Sequence, residues 1–523
     1  MLFRSHFIPK FKLKIEANAS YTKGNSQIPD FKNIRYISNP NGSYQIEGTS
    51  GAIARYYRYL NDNFFDSRVS FELPIAKDTT GLSRKLKFGS AYQRNDKKYD
   101  QYQYDVRTEN SQFYGDLNSF LNYSIFDIQT VNGVSSLPAY YNSSEYSNAG
   151  AVNHTFGNST IFAAYGMSDY AINKKLRVSG GIRAEKAKLF TDVTLFDSLG
   201  YAPNDERRFY DENFPLANPG KLDEWSILPS VNVIYKLKEK EGAPTNIRLN
   251  FSSSVARPSI RELSDIAVFD YEYRLPVVGN SNLKMVHINN YDVRYEKYYA
   301  SGNDLSASMF FKTFRNHIEL VNSNFITWQN VDYSTVVGAE FEGRRKFTKK
   351  FEGRTNITFV KSATEVVQNT IYVNNGVKQY VPIDTVKRSM FGQAPYIFNA
   401  ILTYNEDSLG LSVSLTYNVQ GPRLVLSVGQ KNVPDIFELP RNTIDLKVSK
   451  KLGKHFTVSL TGRDLLNAPI QRAYNYSDGS YQSGIGHGIN NLFGSPIFKK
   501  EWNQSYDKYR FGSSFQIGVS YKI

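Results

Sequence analysis

The chain contains no cysteine, so a disulfide framework and a thiolate metal centre are both excluded. No apolar run reaches the roughly eighteen residues that a membrane-spanning helix needs. Tryptophan is scarce, at 3 residues, and so is histidine, at 6. Those histidines (His6, His154, His287, His317, His455 and His487) never fall at metal-ligand spacing on one element, so each reads as a loop or interface residue. Neither a G-x-S-x-G elbow nor a P-loop occurs. Basic residues outnumber acidic ones, 63 to 49, but they do not gather into one stripe, which argues against a nucleic-acid partner. Nothing in the chain asks for an enzyme or a cofactor.

What is present is a rhythm. Short alternating strands are joined by connections that are tight, then long, then tight again. Tight links fall near Lys77–Gly81, Ile172–Lys175, Lys238–Gly242, Ala300–Asn303, Thr348–Lys350, Glu406–Leu409 and Lys451–Lys454, and long polar stretches such as Asn95–Asn153 and Asn467–Tyr506 lie between them. A soluble sandwich has no reason to put every tight turn at one end. A transmembrane β-barrel does, because its two rims face different compartments. Mean hydropathy is only -0.46, which suits strands that are apolar at every second position. Aromatic residues reach 15%, with 38 Tyr and 35 Phe, as interfacial girdles require.

Alternation is clearest at Leu411, Val413, Leu415, Tyr417 and Val419 against Ser412, Ser414, Thr416 and Asn418, and again from Phe515 to Ile523. The spacing predicts an all-β, antiparallel up-and-down barrel of about sixteen strands. Their approximate spans are 10–23, 51–76, 82–94, 157–171, 174–192, 223–239, 244–258, 285–299, 303–316, 327–347, 352–364, 396–406, 409–420, 439–451, 454–466 and 506–522. Ser50–Leu60 reads equally well as loop. The count is even and the last strand heads for the tight-turn rim, as bacterial barrels require. Lysines crowd that rim, at Lys174–Lys175, Lys236–Lys240, Arg344–Lys350 and Lys450–Lys454. Two readings stay open there: contact with anionic lipid headgroups, or solvated side chains that blunt strand ends.

Chemistry-bearing motifs are few. Gly484-Ile485-Gly486-His487-Gly488 lacks a properly placed third glycine and a following helix, so it reads as an external loop. Asp211-Glu212 and Asp223-Glu224 flank one outer loop as solvated charge, with calcium binding a distant second reading. A short helix is expected around Asp116–Phe126. Arg257, Arg261, Tyr271, Tyr273 and Arg274 surround another outer loop and are the candidate ligand contacts. Tyr and Arg are common recognition anchors, though an aromatic girdle accounts equally for the tyrosines. Met1 leads straight into Leu2-Phe3-Arg4 with no secretory leader. A chain bound for an outer membrane needs one, so this chain is expected to be the C-terminal part of a longer protein.

Several segments resemble the C-terminal barrel of TonB-dependent receptors, in the form common among Bacteroidetes-type bacteria. They are Ala256-Arg257-Pro258-Ser259-Ile260-Arg261-Glu262-Leu263, then Val278-Gly279-Asn280-Ser281-Asn282-Leu283 and Asn290-Tyr291-Asp292-Val293-Arg294-Tyr295-Glu296. Gly338-Ala339-Glu340-Phe341-Glu342, Gly392-Gln393-Ala394-Pro395-Tyr396, Tyr417-Asn418, Glu438-Leu439-Pro440-Arg441-Asn442 and Asp464-Leu465-Leu466-Asn467 follow in the family's order. Each motif is weak alone; the succession is specific. The resemblance implies a 22-stranded barrel with a plugged lumen, of which residues 1–523 would supply a partial, open barrel. The N-terminal plug, the first strands and the signal peptide would be absent. It further implies a bacterial outer-membrane location and contact with outer-membrane lipid. The implied activity is uptake of a scarce nutrient (siderophore, cobalamin or glycan), coupled to the inner-membrane TonB complex through the plug. Two rivals stand beside it, a free-standing porin and a surface adhesin.

Overall fold

Seventeen strands follow one another in the computed structural model, each paired antiparallel with the next. The structure describes residues 2–46, 53–75, 82, 84–108, 112–114, 129–131, 134–136, 139–143, 153–195, 219–240, 242–270, 275–322, 326–374, 377–428, 435–475, 489–490, 496–497 and 505–522. The strands are β1 (Leu2–Ile8), β2 (Leu13–Ile34), β3 (Ile53–Pro74), β4 (Arg84–Thr108), β5 (Asn153–Ala171), β6 (Leu176–Leu195), β7 (Gly220–Lys240) and β8 (Ala243–Ala256). They continue as β9 (Val286–Tyr298), β10 (Asp304–Asn322), β11 (Ile326–Lys346), β12 (Phe351–Asn374), β13 (Tyr396–Glu406), β14 (Leu411–Gln420), β15 (Arg441–Leu452), β16 (Phe456–Arg463) and β17 (Ser514–Tyr521).

Alternation in the sequence fixes the register. Leu415 faces Leu446, Val448 faces Leu460 and Leu460 faces Ile517, so one apolar face runs unbroken across β14–β17. Cross-strand pairs of this kind contribute about 0.2–1 kcal/mol each. The same face carries Phe88, Ile182, Ile227, Leu249, Met309 and Phe341, all exposed. Ile517 is 74% exposed and Phe515 71%. Soluble monomers rarely show a contiguous apolar patch above a few hundred Å². A belt of this extent needs hydrocarbon around it. The fold is an all-β transmembrane sheet.

The described tight links between consecutive wall strands lie on one rim, closing β1–β2, β5–β6, β7–β8, β9–β10, β11–β12, β13–β14 and β15–β16. Gly410 (φ 60) and Gly453 (φ 65) take the left-handed conformation that these turns demand. Turn lysines are partly engaged locally: Lys236 Nζ lies 2.7 Å from Glu239 and Lys350 Nζ 2.5 Å from Glu406.

The expectation of about sixteen crossings holds, with β1 as the additional strand, so the count among the described residues is odd. Ile53–Leu60, read equally as loop, is strand. β4 continues to Thr108, so the first part of the stretch expected to be loop is strand. Its polar sequence lacks the alternation of apolar and polar residues that would reveal it. The helix expected at Asp116–Phe126 lies outside the described residues. The span 506–522 divides: Ser505–Tyr509 pairs with Ile470–Tyr474, and β17 begins at Ser514, after Gly512 at φ 84.

Among the described residues β1 pairs only with β2, and β17 only with β16. Both outer strands run toward the tight-turn rim. Direct closure between them would therefore be parallel, and an all-antiparallel closure needs an odd number of strands in between.

Candidate functional site: the outer mouth and the lumen beneath it

On the lumen face Leu189 stands opposite Leu222, where a wet interior would call for polar residues. Both are buried, together with Ala187, Leu263, Leu283 and Met285. The last three come from the connection between β8 and β9, which folds back inside the wall. Its first turn is set locally. Ser259 caps the short helix Ile260–Leu263: its hydroxyl accepts from the Glu262 amide at 3.1 Å, while the Glu262 carboxylate accepts from the Ser259 amide at 2.7 Å. This capping box satisfies two amides that would otherwise be orphaned. Ile260 lies against Gly157, where a Cβ would come within 2.3 Å of it. Asn280 closes the segment. Its amide donates to Glu262 O at 2.7 Å, its Nδ2 donates to Trp328 O at 2.9 Å, and its Oδ1 accepts from the Asn282 amide at 2.9 Å. A side chain on Gly279 has no room, because its Cβ would sit 1.6 Å from Ser264 O.

Arg261 is held inside this fold. It donates to Val277 O at 2.7 Å and Ile266 O at 3.3 Å, and its guanidinium lies 5.1 Å from the centre of the Trp328 ring. Burial pushes its pKa down to about 10, which leaves it charged at neutral pH. Arg257 donates to Glu185, which also accepts from Arg183 Nε at 2.5 Å. Both arginines therefore join the loop to itself or to the wall. Tyr271, Tyr273 and Arg274 lie outside the described residues. Asp223 pairs with Lys186 and Lys188, while Glu224 meets His287 at 2.8 Å, so the two acids do not converge.

A second buried cluster draws in other connections. Val277, Leu320, Ile326, Val425, Leu426 and Ile436 pack together, bordered by Trp328, Phe391, Tyr474 and Tyr506. The strand Leu275–Val278 pairs parallel with the start of β11, and Arg423–Val428 pairs parallel with the end of β10. Beside this cluster is a polar node. Asn316 takes φ 55 in mid-strand, and beyond it His317 and Glu319 turn inward. Glu319 accepts from Arg388 at 2.6 Å and from the Phe391 amide at 2.9 Å, and lies 2.8 Å from His317 Nε2. Ser334 Oγ lies 3.0 Å from His317 Nδ1 and donates to Thr364 at 2.5 Å. The node anchors the return from the Val377–Arg388 strand to the wall.

These inward elements were not among the sequence-derived site residues. Two signals could have found them: apolar Leu263, Ile266, Val277 and Leu283 in a stretch not read as strand, and paired leucines at lumen positions.

Below the mouth the lumen carries alternating charge. Arg248 and Arg294 flank Glu296 at 2.8 and 3.0 Å, Arg294 also pairs with Glu342, and Arg344 and Arg354 flank Glu352 at 2.9 and 2.7 Å. A recess of about 360 Å³ opens there between Asp304, Glu342, Arg354 and Asn399. Half-exposed pairs contribute about 0–1 kcal/mol each, so the belt shapes a polar surface more than it stabilises the wall.

The family profile described as "TonB dependent receptor-like, beta-barrel" matches residues 13–465. No curated protein sequence matches the chain. Among solved structures, the siderophore receptor PiuA from Acinetobacter baumannii aligns at TM-score 0.57 and 12% identity, covering 99% of this chain and 63% of that one. The ferric-catecholate import receptor Fiu from K12 E. coli aligns at TM-score 0.56 and 12% identity, covering 98% and 62%. The ferripyoverdine receptor of the Pseudomonas aeruginosa outer membrane aligns at 0.53 and 10%, covering 89% and 52%. The chain thus spans less than two-thirds of the length of each, and at these identities the likeness is one of fold. With the profile covering most of the sequence, the chain belongs to the TonB-dependent receptor β-barrel family.

Proposed function

We propose that this chain forms the wall and outer mouth of a receptor in the bacterial outer membrane that takes up a scarce nutrient. The observation that carries the reading is the set of connections folded inside the long-loop rim, above a polar lumen. Such a mouth offers a shaped surface to a ligand from outside. A siderophore, a cobalamin or a glycan would be the cargo, and a siderophore complex leads because the three structures are by name a siderophore receptor, a ferric-catecholate import receptor and a ferripyoverdine receptor. Arg257 and Arg261 hold the loop in place, and Tyr271, Tyr273 and Arg274 make the ligand contact. The charged belt faces a plug supplied by a preceding segment, and the inner-membrane TonB complex acts through that plug. Five further strands would bring the sheet to twenty-two, an odd addition that keeps every pairing antiparallel.

A porin is disfavoured by the co-directional outer strands, each with one partner strand among the described residues, and by the packed mouth. Growth of a deletion strain on defined iron–siderophore, cobalamin and polysaccharide sources tests the proposal. Loss of growth on one source, restored by the native gene but at least tenfold less by Tyr271→Ala with Arg274→Ala, is expected. Unimpaired growth on all three would overturn it.

A further inference from the structure

On the outward face, low on the sheet, the apolar belt is interrupted by a trough of about 470 Å³ lined by Leu86, Phe88, Gly166, Ser168, Gly180 and Ile182. Register places these in two rows, Leu86–Ser168–Gly180 and Phe88–Gly166–Ile182. Phe88 stacks on Phe71 at 5.0 Å to make one wall, and exposed Ile182 and Val231 make the other. The next row, Ser90–Ala164–Ala184, prolongs the floor away from the rim. Glycine in mid-strand weakens a sheet and often marks the approach of another molecule. The pairing here has no bulge, and a Cβ on Gly166 would meet nothing within 4 Å. No neighbour among the described residues asks for that glycine.

The lower end of the trough is positive. Arg84 stands in the row directly beneath Leu86, opposite Tyr170. Its Nε donates to Ala171 O at 3.1 Å, and its guanidinium rests 4.7 Å from the centre of the Tyr170 ring. Those two contacts fix the group while its terminal nitrogens have no partner among the described residues. Lys174 and Lys175, both exposed, occupy the adjoining turn. An apolar slot about two strands wide, some 10 Å, thus ends in a fixed guanidinium, next to the turn that carries Lys174 and Lys175. A guanidinium presents a planar fork suited to phosphate oxygens.

We propose that this trough binds an anionic glycerophospholipid of the leaflet at the tight-turn rim, with an acyl chain on the Gly166–Gly180 floor and its phosphate at Arg84. The inference rests on the outer-membrane reading above. The occupant is a phospholipid rather than a second copy of the chain because the slot is narrow and its one polar end carries a single sign of charge.

The test uses the full chain in nanodiscs of equal phosphatidylglycerol and phosphatidylethanolamine, with retained lipid read by native mass spectrometry. The native chain should hold phosphatidylglycerol at least fivefold over phosphatidylethanolamine. R84Q should bring that ratio near one, and G166L, which fills the floor, should lower total retained lipid about tenfold. Heat-modifiable mobility on gels reports whether each variant remains folded. Equal retention in the native chain and G166L would overturn the site, as would a preference that survives R84Q. A dimer broken by G166L with no retained lipid would replace lipid by protein contact. A chain soluble without detergent would instead overturn the membrane reading itself.

Discussion

Glu319 shows how much one side chain can hold at the mouth. It is fully buried and accepts from a guanidinium and an amide while touching a histidine. Removing one member of a buried charged set leaves the others without compensation, at a cost of about 3–5 kcal/mol. Glu319→Ala should therefore release the segment from Arg388 to Gln393, raising its amide hydrogen exchange about a hundredfold while β13–β17 stay protected. Ser334→Ala, which removes a neutral donor, should cost only about 1 kcal/mol. Equal exchange in native and Glu319→Ala protein would show that the apolar cluster alone holds this return. Nothing in the sequence announces the node, because His317, Ser334, Thr364 and Arg388 lie far apart along the chain and meet only after Asn316 turns the strand. Arg261 was legible as a mouth residue, but its carbonyl partners were not, since backbone acceptors leave no trace in composition.

Strands were legible where one side meets lipid and the other water, because that contrast imprints a period of two. Leu411–Gln420 and Tyr396–Glu406 came out almost to the residue. Beyond the hydrocarbon that contrast ends and the period is lost: β4 runs on through a polar sequence, β10 passes Asn316 at φ 55 into a buried apolar end, and β12 continues to Asn374, so all three were read too short. The same asymmetry gives an element-scale prediction on β17, where Ile517 faces outward and Gln516 inward. A lipid-facing arginine near mid-bilayer costs about 2–4 kcal/mol, whereas a lumen-facing one costs little. Ile517→Arg should thus reduce the folded fraction in vesicles several-fold, and Gln516→Arg should leave it near native, both scored by heat-modifiable mobility. Equal sensitivity at the two positions would mean that the faces have been assigned wrongly.

At the scale of the whole molecule, the direction of the two outer strands decides between a self-closed channel and a wall completed by other strands. β1 and β17 are both odd members of an alternating series, so both run toward the tight-turn rim. Parallel closure is known for odd-numbered barrels, which makes the distinction one to measure. The absence of native cysteine gives a clean background. Ser459 and Gly518 are direct partners across β16 and β17, within the Cα separation of about 4.4–6.8 Å that a disulfide bridges. Ser459→Cys with Gly518→Cys should cross-link within one chain on mild oxidation. Ser5→Cys with Gln516→Cys, which places one cysteine on each outer edge, should not. If the second pair links intramolecularly in most molecules, the 523 residues close on themselves, and a passive channel displaces the receptor wall as the reading of this fold. If it stays reduced while the control pair closes, the edges await antiparallel partners, and hydrocarbon will not tolerate their unpaired amides, at several kcal/mol for each group left open.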